Sequence, residues 1–309
     1  MKIIQNDVEP VQSIEQLETV NRPVSPLKNF IERFSQHLLA VIGTAVLAII
    51  CLFAVIGPMI SGHVGSDQTL TAANLAPSSD YWFGTDDLGR DVFTRVWLGA
   101  RISLGIGLIA ALIDVVLGVL IGCISGYAAG RGKWGNRLDQ AIMRVVEILY
   151  GIPYLLVVIL LLVLMKPGIL TMIIALSITG WVNMARMVRG QVLQIKSEPF
   201  VVAGEMLGTS HLKIMWKHIL PNIMGVVIVS LTFTIPSAIF AESFLSFLGL
   251  GIQAPSASWG TMANDALGVI LSGEWWRLFF PSLLIALTMF AFNVIGDGLQ
   301  DTFNPESER

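Results

Sequence analysis

The chain has 309 residues, of which 54% are hydrophobic and 13% charged, and its mean hydropathy is +0.72. Soluble domains carry about 25% charged residues, so the composition excludes a water-soluble globular protein and predicts an integral membrane protein. The net charge of −3 is too small to imply nucleic acid or any other highly charged partner.

Residues 1–24 are polar, without periodicity, and read as a flexible tail. Ser25-Pro26 reads as an N-cap followed by proline at the first helical position. Leu27, Phe30, Ile31 and Phe34 then recur at helical spacing, with Lys28, Glu32 and Arg33 on the other face. This predicts an amphipathic interfacial helix over 25–37. The run 38–60 has no charged residue and suffices to cross a bilayer core, which takes about 20 residues. A long polar stretch precedes it, so it is expected to be a retained membrane helix and not a cleaved signal.

Residues 61–101 form a polar loop on the opposite side. Within it, Asp86 and Asp87 are expected to cap an amphipathic helix starting at Leu88, with Asp91 and Arg95 as an exposed i,i+4 pair. A second span is predicted at about 102–127 and a basic turn at 130–137. The third span, about 141–165, should kink at Pro153. The fourth, about 169–188, is expected to be interrupted by Gly180. The fifth runs over about 219–240, followed by a loop over 249–275. The sixth, about 278–295, should end at Gly296-Asp297-Gly298, before a tail at 301–309. The expectation is therefore an all-α membrane protein with six transmembrane helices and a core domain over 102–300.

Orientation follows from the basic residues. With the N-terminus in the cytoplasm, only Arg90, Arg95, Arg101, Lys166 and Arg277 of the 19 Lys and Arg fall outside. The positive-inside rule selects this arrangement, which puts both termini in the cytoplasm.

Catalytic chemistry has little support. There is no GxxxxGK[ST], HExxH or GxSxG, hence no phosphate-binding loop, zinc-protease or hydrolase signature. Cys51 and Cys123 lie in apolar runs and read as free thiols. His37, His63, His211 and His218 are dispersed, and no metal site is expected. Among the acids, Asp114 sits near the middle of the second span. An ionisable group there must face a wet cavity or a partner. It is a candidate pathway-lining residue, with helix packing as the competing reading. Glu242 is expected at the outer surface, Asp297 in solvent, and Glu147 paired with Arg144.

The stretch 199–222, PFVVAGEMLGTSHLKIMWKHILPN, interrupts the apolar spans with polar residues at close spacing. Pro199 can begin a short helix. Phe200, Val201, Ala203, Met206 and Leu207 give it an apolar surface, and Ala203 and Gly204 are small enough for a partner to approach. Gly208 is expected at positive φ, turning the chain. Thr209 or Ser210 can cap the next helix. The competing reading is an ordinary interfacial linker.

Gly208 followed by His218-Ile219-Leu220-Pro221 resembles the cytoplasmic loop of ATP-binding-cassette (ABC) importer permeases, EAA-xxx-G-x9-I-x-LP. Val202-Ala203-Gly204 stand where that family has Glu-Ala-Ala, so the motif's acid is absent, and His218 replaces the usual isoleucine. Further segments at 83–104 (FGTDDLGRDVFTRVWLGARISL), 242–262 (ESFLSFLGLGIQAPSASWGTM) and 293–305 (NVIGDGLQDTFNP) resemble the C-type permeases of oligopeptide and dipeptide importers.

The resemblance implies a type I importer permease fold in a bacterial-type inner (cytoplasmic) membrane. The function implied is non-catalytic translocation of peptides across that membrane, in contact with lipid. It implies a homologous B-type permease subunit, two cytoplasmic ATPase subunits and an extracytoplasmic substrate-binding protein as partners. ATP and magnesium would sit on the ATPases, with no cofactor on this chain. The ATPase-coupling residues would be Phe200, Val202, Ala203, Gly204, Glu205, Met206, Leu207 and Gly208, within a coupling loop at 190–218. Nickel permeases share much of the pattern and are the alternative, ahead of an ion-coupled secondary carrier. The latter usually shows several embedded acids or an inverted repeat.

Overall fold

The computed structural model describes residues 26–303. The polar stretch 1–24, Ser25 and residues 304–309 lie outside the described residues. Helix α1 (Pro26–Gln36) leads into α2 (Leu38–Ile60), then α3 (Val92–Ala128), α4 (Gly132–Gly151), α5 (Tyr154–Leu164) and α6 (Ile169–Ile195). Two short helices follow, α7 (Pro199–Met206) and α8 (His211–Ile214). A π-turn at Met215–Ile219 then feeds α9 (Leu220–Phe247). The described residues end with α10 (Trp259–Asp265) and α11 (Trp276–Phe303). Among the described residues, five helical segments are long and apolar enough to cross a membrane, and α4 with α5, bent by 81°, count as a sixth when taken as one span.

The second span differs from its expected form. The amphipathic segment and the apolar span are one helix, α3, of 37 residues. At 1.5 Å per residue it is about 55 Å long, well beyond a hydrocarbon core of about 30 Å. It starts at Val92, not Leu88, because Gly89 has φ +72° in a turn packed against the Thr69 carbonyl. The cap is Asp91, whose Oδ2 accepts from the Thr94 N–H at 2.9 Å. Asp91 and Arg95 are not an exposed pair. Both are buried, and Arg95 Nε instead lies 3.3 Å from Asp86 Oδ2.

Proline chemistry shapes two other spans. Pro58 lies inside α2 and has no N–H for the Ala54 carbonyl four residues back. Arg101 Nε donates to that oxygen at 2.5 Å, and its Nη2 donates to the Val55 carbonyl at 2.9 Å. In the third span Pro153 breaks the helix. It holds Ile152 extended, at ψ 129°, since the residue before a proline avoids the helical region.

Close packing joins α3 and α6. Gly118, Gly122 and Gly126 stand one turn apart on α3. A Cβ on them would meet Met184, Ala185 with Val188, and Val192 with the Arg189 carbonyl, at 2.5–2.9 Å. Small residues at this spacing let two membrane helices approach closely. Gly180 does not interrupt α6, which runs unbroken through it. The sixth span likewise does not stop at Gly296: α11 starts at Trp276 and continues to Phe303.

Beyond α9 the chain folds back on the bundle. Ser258 caps α10 in a capping box with Thr261, and Trp259 is fully buried, its Nε1 donating to the Val96 carbonyl at 3.0 Å. Glu242 is not at the outer surface. It is 0% exposed and accepts from the Ser103 and Ser246 hydroxyls at 2.8 Å each and from Ser243 at 3.3 Å. One buried carboxylate thus ties α9 to α3, and Ser103 in turn accepts from the Trp259 N–H at 3.2 Å.

Candidate functional site

The stretch after α6 forms two short helices set at an angle. Pro199 occupies the first turn of α7, where its missing N–H leaves no intrahelical bond unmade. Gly208 has φ +76° and redirects the chain into α8. Ser210 holds the N-cap position of α8, but its side chain makes no capping bond.

One side of this pair is anchored. Val201, Ile214 and Ile219 are fully buried, in a cluster with Tyr127 of α3, Val188 and Val192 of α6, and Ile223 of α9. The other side is bare. Met206 is 83% and Leu207 85% exposed. Phe200, Val202, Leu212 and Trp216 are also exposed, as is Ala203, and Gly204 has open space where a Cβ would stand. Leu212 and Trp216 extend the patch beyond the residues that the motif singles out. Contiguous exposed apolar surface of this kind marks a contact site for protein or membrane.

Glu205 turns back into its own chain. It pairs with Arg131 in the turn between α3 and α4. The Arg131 guanidinium stacks 3.9 Å from the centre of the Tyr127 ring. Its Nη1 lies 3.1 Å from His211 Nδ1, which is also 3.0 Å from the Tyr127 hydroxyl. Lys196 Nζ donates to the Gly126 carbonyl at 3.1 Å and to that of Ala129, closing the end of α3. Burial, and then the nearby Arg131 charge, push the Lys196 ammonium below the usual lysine range, with Asp139 opposing. Arg189 of α6 grips Asp139 of α4 through two bonds of 2.7 Å. The paired helices α7 and α8 are therefore bound to the ends of α3, α4 and α6. No sequence pattern pointed to Arg131, because its partner lies 74 residues away.

Asp114 lies elsewhere, deep in the bundle. It borders a cavity of about 570 Å³. The walls come from the α4–α5 break (Tyr150 to Tyr154), from Thr179, Gly180 and Asn183 of α6, and from Phe233, Thr234 and Ser237 of α9. The carboxylate occupies the space above Gly180, where a Cβ would meet Oδ2 at 2.1 Å. Its Oδ1 is buried without a hydrogen-bond partner. Among the described residues there is no grouping of His, Cys, Asp or Glu that could hold a metal ion.

The family model for the binding-protein-dependent transport system inner membrane component matches residues 115–309. The chain belongs to this family. A second model, for the N-terminal transmembrane domain of oligopeptide transport permease C, matches residues 25–77. The dipeptide transport system permease protein DppC of Bacillus subtilis is 57% identical over 94% of this chain and 90% of its own length. The oligopeptide transport system permease protein OppC of the same organism is 50% identical over 92% of this chain and 91% of its own. OppC of Escherichia coli K12 is 42% identical over 89% of each. Among solved structures, an inward-facing MetNI methionine ABC transporter superimposes with a TM-score of 0.55 at 18% identity, covering 67% of this chain and 97% of that one. This chain thus shares the helical fold of that structure over the matched residues.

Proposed function

We propose that this chain is the non-catalytic, membrane-spanning permease subunit of an ATP-driven importer for di- or oligopeptides, worked from outside the chain through α7 and α8. Half or more of the aligned residues are identical to those of two permeases named for dipeptide and oligopeptide transport, and that observation carries the peptide assignment. Its partners are a B-type permease, two ATPase subunits that hold ATP and magnesium, and a substrate-binding protein. The positive-inside count supports cytoplasmic termini and a cytoplasmic α7–α8.

The exposed face of Phe200, Val202, Met206 and Leu207 is the surface offered to an ATPase groove. The small residues Ala203 and Gly204 let the groove wall come close. Val201 and Ile214, being buried, make α7 and α8 move with the bundle. The Glu205–Arg131 pair adds a polar link to the end of α3. Because α3 and α6 are in backbone contact along Gly118, Gly122 and Gly126, a push on α7 displaces them together. That displacement moves Asp114 and Gly180, and with them the wall of the cavity. Alternation between two openings of that cavity is the transport step. Val202 is apolar where the resembling family has an acid, so docking here relies on apolar contact, while Glu205 is already engaged within the chain.

The test is peptide uptake with and without the ATPases. Uptake of a labelled dipeptide through this chain should stop when its ATPase partners are deleted. Continued uptake would exclude an ATP-driven permease.

A further inference from the structure

We propose that Asp114 is the counter-charge for the α-ammonium of the transported peptide. The inference rests on the peptide reading above, since a free peptide supplies that ammonium.

Asp114 is 6% exposed in the middle of an apolar span, and it has no ion-pair partner among the described residues. An unpaired acid at this depth is expensive and is kept only where something answers it. The surroundings are shaped to hold it. Glycine at 180 leaves the carboxylate its space, since an alanine Cβ there would stand 2.1 Å from Oδ2 and push the side chain aside.

The rest of the cavity wall carries no other charge. Its polar groups are the hydroxyls of Tyr150, Tyr154, Thr179, Thr234 and Ser237 and the amide of Asn183. Thr179 Oγ1 is itself buried without a partner. One fixed negative charge among neutral donors and acceptors suits a ligand with one constant positive group and a variable polar chain. Every unmodified peptide has an ammonium at its first residue, whatever its side chains. A single carboxylate therefore orients all of them and selects none by side chain. The cavity volume is within the range of small-molecule sites, about 300–1,000 Å³.

The measurement is equilibrium binding to the complete transporter in nanodiscs. Dialanine is compared with N-acetyl-dialanine, with no binding protein present, so that selection by that protein does not enter. The wild type should prefer dialanine by about tenfold or more, as expected of a desolvated charge pair. Asp114→Asn should abolish the preference. Equal binding of the two probes by the wild type would overturn the proposal, as would a wild-type ratio in Asp114→Asn.

Should Asp114→Asn fail to assemble, Asn183→Asp carries the test. It is nearly isosteric, and the residue is exposed on the cavity wall. The added carboxylate should raise the preference for dialanine several-fold, and an unchanged ratio contradicts the proposal. In cells whose sole route of peptide uptake is this transporter, deleting this chain should abolish dialanine uptake; uptake that persists would overturn the peptide assignment itself, whatever the binding ratio.

Discussion

Replacing Gly208 separates a conformational role from a contact role. The residue has φ +76°, and a Cβ built there meets nothing within 4 Å. Within this chain a Cβ therefore meets no steric obstacle, and a substitution acts here through backbone strain. For a residue with a Cβ, the left-handed region costs about 1–2 kcal/mol. Asparagine visits that region routinely, and a β-branched residue does so least readily. A strain of 1–2 kcal/mol shifts the balance between the observed turn and alternatives by a factor of about 5–30. The shift is local, because Val201 and Ile214 stay buried on either side. The expected order of impairment is Gly208→Asn, then Gly208→Ala, then Gly208→Val, although asparagine is larger than alanine. The assay is affinity of the purified ATPases for the assembled permease pair, alongside peptide uptake at constant membrane content. An order that follows side-chain size, or normal ATPase binding and uptake in Gly208→Val, would refute this reasoning.

Two further predictions concern the opposite end of the bundle. Glu242→Ala leaves the hydroxyls of Ser103, Ser243 and Ser246 without their shared acceptor and opens a cavity, so it should destabilise the chain by about 2–5 kcal/mol; thermal unfolding in detergent that matches the wild type would show that this network holds nothing. Asp265 has its carboxyl pushed above the ordinary aspartate value of 3.8, first by burial, with Arg95 and Arg90 opposing. A raised folded value means that its contribution is full below the unfolded value and is lost as pH rises through the folded one. Asp265→Asn should therefore raise the unfolding midpoint at pH 7, with the gain vanishing as pH falls below 3.8; a gain that grows on acidification would reverse the assignment.

Much of this architecture is legible in the residues. Leu38–Ile60 could only be a span, and Pro153 had to disturb the third. Gly208, between two short amphipathic runs, foretold a positive φ. Continuity was harder to read. The sequence divides into an amphipathic segment from Leu88 and an apolar span from about residue 102, where the structure has one helix over Val92–Ala128 containing Gly99 and Arg101. Helix breaking requires strain or a missing N–H, and neither residue supplies it there; Arg101 instead serves the Ala54 carbonyl that Pro58 leaves open, and the neighbouring Val55 carbonyl. Glu242 was misjudged for a different reason. Its position near a helix end suggested solvent, but Ser103 and the returning α10 cover it, and no local pattern records a partner 139 residues away. Gly180 looked like a flaw in a helix because its partner, Asp114, lies on another one. The Glu205–Arg131 pair was hidden in the same way.

In the proposed mechanism α7 carries the contact through which ATPases drive the permease. A photoactivatable side chain at Leu207, 85% exposed, tests it most directly when introduced into the complete transporter. Illumination should join this chain to an ATPase subunit and stop peptide uptake. Adducts with lipid alone, with uptake still running, would contradict that role for α7.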